Sequence, residues 1–299
     1  MSAPLHWAHD GRDWPHRAAS LFVQAGGLRW HLQVHGPASA PLLLLLHGTG
    51  ASTHSWRDLV PRLLPQFQVV AVDLPGHAFT QGLARHRSTL PHMAMALDAL
   101  LKAEGLLPRV AVGHSAGAAL MLRMALDGQL PDCTLIGLNA ALLPFGGWGN
   151  FLYASVARVM AGSGVVPRLA AWRAHDPAVV RRLVASTGSR LDDAGIAWYA
   201  RLLRSPGHVA HVLSMMANWD LEPLQREWPR VKGLHLIVGE RDTTVPPSQA
   251  ALVAARTDGT TLHRLPGLGH LAHEEAPERV ADLILSIAAA AGSAARVTR

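Results

Sequence analysis

Three residues of this chain have the types and the surroundings for nucleophilic chemistry. Ser115 stands between glycines in "VGHSAGAAL" (112–120), Asp242 follows "LIVGER" in a turn closed by Pro246 and Pro247, and His270 lies in "LPGLGHLAHEEAPE". A serine hydroxyl is a poor nucleophile until a neighbouring base takes its proton, and a histidine base needs a carboxylate to orient it. The Gly-x-Ser-x-Gly spacing is weak by itself, because glycine and serine at about 7% each produce it by chance in roughly one chain in ten of this length. Its weight comes from what flanks it.

Val110 to Gly113 read as a strand end and Ala116 to Leu126 as an apolar helix, so Ser115 falls on the turn between them. A serine there is pushed towards positive φ, and side chains at 113 and 117 would collide across so sharp a bend. The turn lifts the hydroxyl above the sheet edge and sets the Ala116 N–H at a helix start, where negative charge is favoured. A second donor for an oxyanion comes from "LLLLLHGTGAS", whose glycine turn presents the Thr49 N–H. His47 in that motif reads as structural, tying the loop down through its ring nitrogens. Among competitors, His273 is set aside because the Gly-x-Gly-His turn frees His270 to reach inward. Glu240 is set aside for Asp242 because it sits within the strand end.

These residues need a sheet to carry them. "SLFVQAGGLRWHLQVHG" reads as a hairpin turning at Gly26-Gly27, followed by short apolar runs at 42–46, 69–73, 109–113, 134–138, 234–239 and 260–265. Runs apolar on both faces imply buried parallel strands, and helical patterns at 55–64, 89–104, 116–127 and 277–290 alternate with them. The class is therefore α/β, a mostly parallel central sheet flanked by helices. From 143 to 222 the strand-like runs stop and helical ones take over, which divides the chain into a core (1–142), an inserted helical cap (143–222) and the rest of the core (223–299).

Composition excludes several classes. The chain has 299 residues and a formal net charge of +6, carried almost wholly by arginine, since Lys102 and Lys232 are its only lysines. No basic run interleaved with aromatics supports nucleic-acid binding. Cys133 is the only cysteine, so no internal disulfide forms and a reducing compartment fits; it reads as an inert buried residue in a strand. The first residues lack the apolar core of a signal peptide, and the longest aliphatic run is far too short to span a bilayer. A cytoplasmic protein, with peripheral contact to the inner membrane as the variant, is expected.

The motifs "HGTG" (47–50), "DLPGH" (73–77), "GHSAG" (113–117), "GERDTTVP" (239–246) and "GLGHLAHEEAP" (267–277) resemble those of the α/β-hydrolase superfamily over nearly the whole chain. That resemblance implies a lidded core sheet and a Ser115–His270–Asp242 triad. Ala78 departs from it, standing where the fourth-strand loop often has a glycine. "HGTGASTHSWRDLVPRL", "GHSAGAALMLRMALDG", "LNAALLPFGG" and "RSPGHVAHVLSMMANWDL" are similar to the BchO-type magnesium-chelatase accessory proteins of bacteriochlorophyll biosynthesis. This closer likeness implies a photosynthetic bacterium and a role near magnesium insertion into protoporphyrin IX, but no particular reaction.

The cap offers Trp148, Phe151, Tyr153, Met160, Trp172, Trp198, Met215, Met216 and Trp219, able to line a pocket for a broad hydrophobic ligand such as a porphyrin or acyl chain, or to pack cap onto core. His54, Trp56, His208, Met215 and Trp219 are the pocket candidates. His208 and His211, three apart on a helix, have metal-ligand spacing without a third ligand. Residues 145–172, apolar and dotted with arginine, read as a mobile lid or as a surface docking on a membrane. Two functions follow. One is a cofactor-free hydrolase of an ester or related acyl bond in a hydrophobic substrate; the other is a non-catalytic tetrapyrrole-binding or chelatase accessory protein that keeps the fold.

Overall fold

A computed structural model of the chain describes residues 4–144 and 163–297, with side chains up to residue 292. Trp148, Phe151, Tyr153 and Met160 lie outside the described residues, as does 145–162 of the arginine-dotted stretch. Eight strands form one sheet: β1 (Ser20–Ala25), β2 (Leu28–His35), β3 (Leu42–Leu46), β4 (Gln68–Val72), β5 (Val110–His114), β6 (Thr134–Leu138), β7 (His235–Gly239) and β8 (Thr261–Leu265). Their order across the sheet is β1-β2-β4-β3-β5-β6-β7-β8. The β1–β2 hairpin is antiparallel and turns at Gly26 and Gly27, whose φ values of 57° and 77° are the left-handed pair such a tight turn requires. β2 joins β4 antiparallel, and every pairing from β4 to β8 is parallel.

The strands are apolar on both faces because helices cover both. Leu42, Leu44 and Leu46 of β3 enter one core with Val70, Val72, Ala111, Leu236 and Val238. Leu43 and Leu45 enter the other with Val69, Ala71, Val112, Ile136 and Ile237. The period of two thus sorts a run of five leucines between two cores. Among the described residues three α-helices come before β5: α1 (Trp7–Asp10), α2 (Val60–Leu63) and α3 (Leu90–Ala103). With them goes α4 (Ala116–Leu126), which shares the first core with α3. The pattern at 55–64 does not form one helix. A 3₁₀ turn at Thr53–Trp56 and the single-turn α2 replace it, and Pro61 and Pro65 forbid the continuous hydrogen-bond ladder.

Between β6 and β7 the described residues hold helices and no strand: α5 (Val166–Arg173), α6 (Pro177–Ala185), α7 (Asp193–Leu203), α8 (Pro206–Asn218) and α9 (Glu222–Glu227). Their starts are coded locally. Asp176, Asp192 and Ser205 cap α6, α7 and α8 by accepting from Ala178, Gly195 and His208 amides at 2.9, 2.7 and 3.2 Å, and Pro177 and Pro206 stand at the first helical position. The chain closes with α10 (Pro247–Ala254), α11 (Ala272–Glu275) and α12 (Pro277–Val297). Among the described residues no helix is long and apolar enough to cross a membrane. Cys133 lies just before β6 rather than in it and is partly buried; burial pushes its thiol up to about 12, so it stays protonated and unreactive.

Candidate active site

Ser115 joins β5 to α4 with φ 52° and ψ −117°, a backbone that non-glycine residues rarely adopt. Its amide donates to the Leu138 carbonyl at 3.0 Å and its carbonyl accepts from Ala118 and Ala141, so β6 pins the turn from the side. The flanking glycines are required by contact. A Cβ at Gly113 would lie 2.5 Å from the Ala118 Cα, and one at Gly117 would strike the Leu46 carbonyl. The strain is thus held by packing against β3 and α4.

Asp242 and His270 follow the carboxyl ends of β7 and β8. His270 Nδ1–H donates to Asp242 Oδ2 at 2.7 Å, which leaves the other ring nitrogen as a proton acceptor. Oδ1 of Asp242 accepts from the Thr244 and Val245 amides, both at 2.8 Å, and Oδ2 also accepts from Asn139 Nδ2 at 2.8 Å. The carboxylate has four donors and cannot swing away from the imidazole. Asn139 escaped the sequence reading; its signal is a polar residue ending β6 with φ 45°, directly beside β7. The competitors are elsewhere: Glu240 is exposed, and His273 is fully buried with its ring 4.5 Å from that of Trp56. Burial pulls the His273 imidazole down to about 3, so it is neutral.

Ser115 and His270 open onto one cavity of about 1060 Å³, shared with Gly48, Thr49, Ala116 and His114. Most of its wall comes from the helical segment between β6 and β7, with Val180, Leu183, Val209, Val212, Leu213 and Met216 among the apolar residues and Asp220 and Glu222 among the polar ones. Trp219 lines it, and its Nε1–H has no hydrogen-bond partner among the described residues. The other four pocket candidates do not line it. His54 is buried, with Nδ1 2.6 Å from Ser52 Oγ, and Trp56 is buried against His273. His208 and Met215 face the core, because α8 turns residues 209, 212, 213 and 216 to the cavity and 208, 211 and 215 to the opposite side.

That second face of α8 grips the loop after β3. His208 Nδ1 accepts from the Ala78 amide and its Nε2–H donates to the Gly50 carbonyl, both at 3.3 Å, while Thr49 Oγ1–H reaches Met215 Sδ at 3.9 Å. Burial draws the His208 imidazole down to about 4, which keeps the neutral tautomer these two bonds need. Both ring nitrogens are taken up by these bonds, and among the described residues no group of three or more His, Cys, Asp or Glu side chains is placed to hold a metal ion. Ala78 keeps a left-handed φ of 41° despite not being glycine, with its amide on His208. His47 Nδ1–H donates to the Gly48 carbonyl at 2.8 Å and its Nε2 accepts from the Leu74 amide at 2.9 Å, fastening the same loop.

Two further features were illegible in the sequence. His114 Nε2–H donates to the His270 carbonyl at 2.9 Å, with the rings 4.8 Å apart, so the residue before the serine supports the histidine. On the cavity wall, Tyr199 O–H donates to Glu274 at 2.7 Å, and Arg57 pairs with the same carboxylate at 2.6 Å. Burial pushes the Glu274 carboxyl up to about 7 despite the opposing guanidinium.

The chain matches the alpha/beta hydrolase family model over residues 43–283 and belongs to that family. It is 39% identical over 278 residues to the magnesium-chelatase 30 kDa subunit of Rhodobacter capsulatus, covering 91% of this chain and 95% of that protein. It is 28% identical to the pimeloyl-[acyl-carrier protein] methyl ester esterase of Methylococcus capsulatus, over 82% of this chain and 93% of that one. Among solved structures, an alpha/beta hydrolase fold protein from Burkholderia ambifaria superposes with a TM-score of 0.75 at 24% identity, over 90% and 97% of the two chains, a likeness of fold.

Proposed function

We propose that the protein is a serine hydrolase of an ester or related acyl bond in a large hydrophobic substrate, with a biological role of the magnesium-chelatase accessory kind. One observation carries the chemistry: a serine held at positive φ shares an apolar cavity with a histidine whose Nδ1–H is fixed 2.7 Å from a buried carboxylate. In this reading Ser115 Oγ attacks the acyl carbon while His270 Nε2 takes the hydroxyl proton and then passes it to the leaving alcohol. Asp242 orients the ring and stabilises the imidazolium. The Thr49 and Ala116 amides hold the oxyanion, the latter helped by the α4 N-terminus. Water then attacks the acyl-enzyme by the same route, and no cofactor enters the balance.

The Rhodobacter relative supports the biological context, because nearly the full length of both chains aligns. It makes a tetrapyrrole the first substrate class to test and a magnesium chelatase the first partner. The same likeness favours a second reading, a tetrapyrrole-binding accessory protein that does no hydrolysis. A fluorophosphonate probe decides between them. Labelling of the wild type that is lost in both Ser115→Ala and His270→Ala supports the hydrolase, and tetrapyrrole and acyl esters are then screened as substrates. A folded wild type that does not label overturns it, and porphyrin titration becomes the measurement of interest.

A further inference from the structure

Leu21, Met95, Leu107 and Leu252 are exposed large apolar side chains spread over the chain, but four more gather at the first two described cap helices. Val165, Leu169 and Trp172 are 68%, 55% and 66% exposed, and Leu183 on α6 is 53% exposed. Positions 165, 169 and 172 follow i, i+4, i+7 spacing, which puts them on one face of α5. A surface-facing Trp with two aliphatic neighbours is what an interfacial helix presents to a lipid boundary. The charges around it are one-sided. From 163 to 190 the chain carries Arg168, Arg173, Arg181, Arg182 and Arg190 against the single acid Asp176, and all six are exposed. Arg181 also reaches Asp193 of α7 at 2.9 Å, an exposed pair of little strength.

The apolar surface also connects with the cavity. Leu183 is more than half exposed and lines the cavity wall, with Val180 and Val184 of the same helix beside it inside. α5 packs against α8, whose opposite contacts include the cavity and the loop carrying Thr49.

We propose that the exposed face of α5 and α6, built on Val165, Leu169, Trp172 and Leu183 and ringed by arginines, docks on an anionic lipid bilayer and brings the cavity wall to the membrane surface. The occupant is argued from charge: a zwitterionic surface offers the arginines no net negative potential, whereas anionic headgroups meet them as the apolar residues enter the acyl boundary. The docking stands on this surface alone. That a lipid-dissolved substrate then enters the cavity rests on the hydrolase reading above.

The test is flotation with vesicles of phosphatidylcholine alone or mixed with phosphatidylglycerol, at low and at high salt. The wild type is expected to float with the mixed vesicles at low salt and to bind at least about tenfold more weakly to the neutral ones, given about fivefold per arginine. Arg168→Glu/Arg173→Glu and Leu169→Ser/Trp172→Ser are each expected to weaken that binding at least about tenfold while keeping the wild-type circular dichroism and melting temperature, since all four side chains are exposed. Ser115→Ala is expected to float like the wild type, so loss of hydrolysis leaves the docking result intact. A wild type that does not float with anionic vesicles overturns the proposal, as does equal binding by both double variants. Light scattering that shows these residues joining two copies of the chain, with no flotation, also overturns it.

Discussion

Among the described residues stand two Ser–His–Asp arrangements, and they are not equivalent. In the first, His270 Nδ1 lies 2.7 Å from Asp242 and Ser115 shares the cavity with the ring. In the second, Ser20 Oγ lies 3.0 Å from His31 Nε2, and His31 Nδ1 lies 2.7 Å from Asp73 Oδ2. By residue type and hydrogen bonding the second is the more complete. Yet Ser20 has an ordinary extended backbone on β1 and accepts from Gln33 Nε2 at 3.2 Å, and the fully buried His31 is walled by Trp7, Phe22 and Phe79 rings at 5.1 to 5.2 Å. Asp73 accepts from the Thr53 and Phe79 amides at 2.8 and 3.3 Å, so it staples the loops after β3 and β4 to β2. Burial alone would raise the Asp73 carboxyl, but His31 and the amide bonds hold it below its ordinary value. What separates the two is the strained turn, the open cavity and a helix N-terminus beside the hydroxyl. Both places hold the same three residue types; the backbone around the serine decides whether its hydroxyl faces the cavity.

The largest effect expected from this contrast is on covalent labelling. Ser115→Ala is expected to abolish fluorophosphonate labelling and Ser20→Ala to leave its rate within about twofold; peptide mapping that finds probe on Ser20 would break the comparison. The two acids should separate just as sharply. Asp242→Asn is expected to slow labelling about a thousandfold or more with the fold kept, by freeing the wrong tautomer of His270. Asp73→Asn is expected to cost about 3 kcal/mol of stability in urea melts, because it breaks a buried pair, while the surviving folded fraction labels normally.

A smaller effect tests the grip of α8 on the loop after β3. His208→Leu removes the donor to the Gly50 carbonyl and is expected to slow labelling about tenfold, while His208→Gln, which can still donate there, recovers most of it. Equal rates for the two variants would make His208 a packing residue only. Last comes the dependence on pH. His208 and His273 are drawn by burial to about 4 and about 3, below the ordinary 6.5. Their neutral forms therefore support the fold fully above pH 6.5, and that support is lost as pH falls towards 4 and 3. Each adds about 1.4 kcal/mol per pH unit to the slope within its window. Melts between pH 7 and 5 should show stability falling with acid, and His273→Phe should flatten the slope by one proton; an unchanged slope would contradict it.

How much of this was legible beforehand follows from the range of the forces involved. The eight strands, the turn at Ser115 and the positions of Asp242 and His270 were readable in the sequence, because apolar runs, paired glycines and helix-start residues act within a few neighbours. The glycines at 113 and 117 announced a bend too sharp for side chains; at Gly113 the clash would be across the bend with Ala118, whereas at Gly117 it would be with Leu46 of β3, which only the fold brings there. Only the tertiary structure decided that His208 and Met215 turn to the core, since a helix's period gives its faces but not what lies against each. It alone brought Asn139 to Asp242, 103 residues away, and Asp73 to His31, 42 residues away. Which polar group meets which buried partner depends on strand order and helix packing, and in this chain that closure separates the serine at the cavity from the serine locked in the sheet.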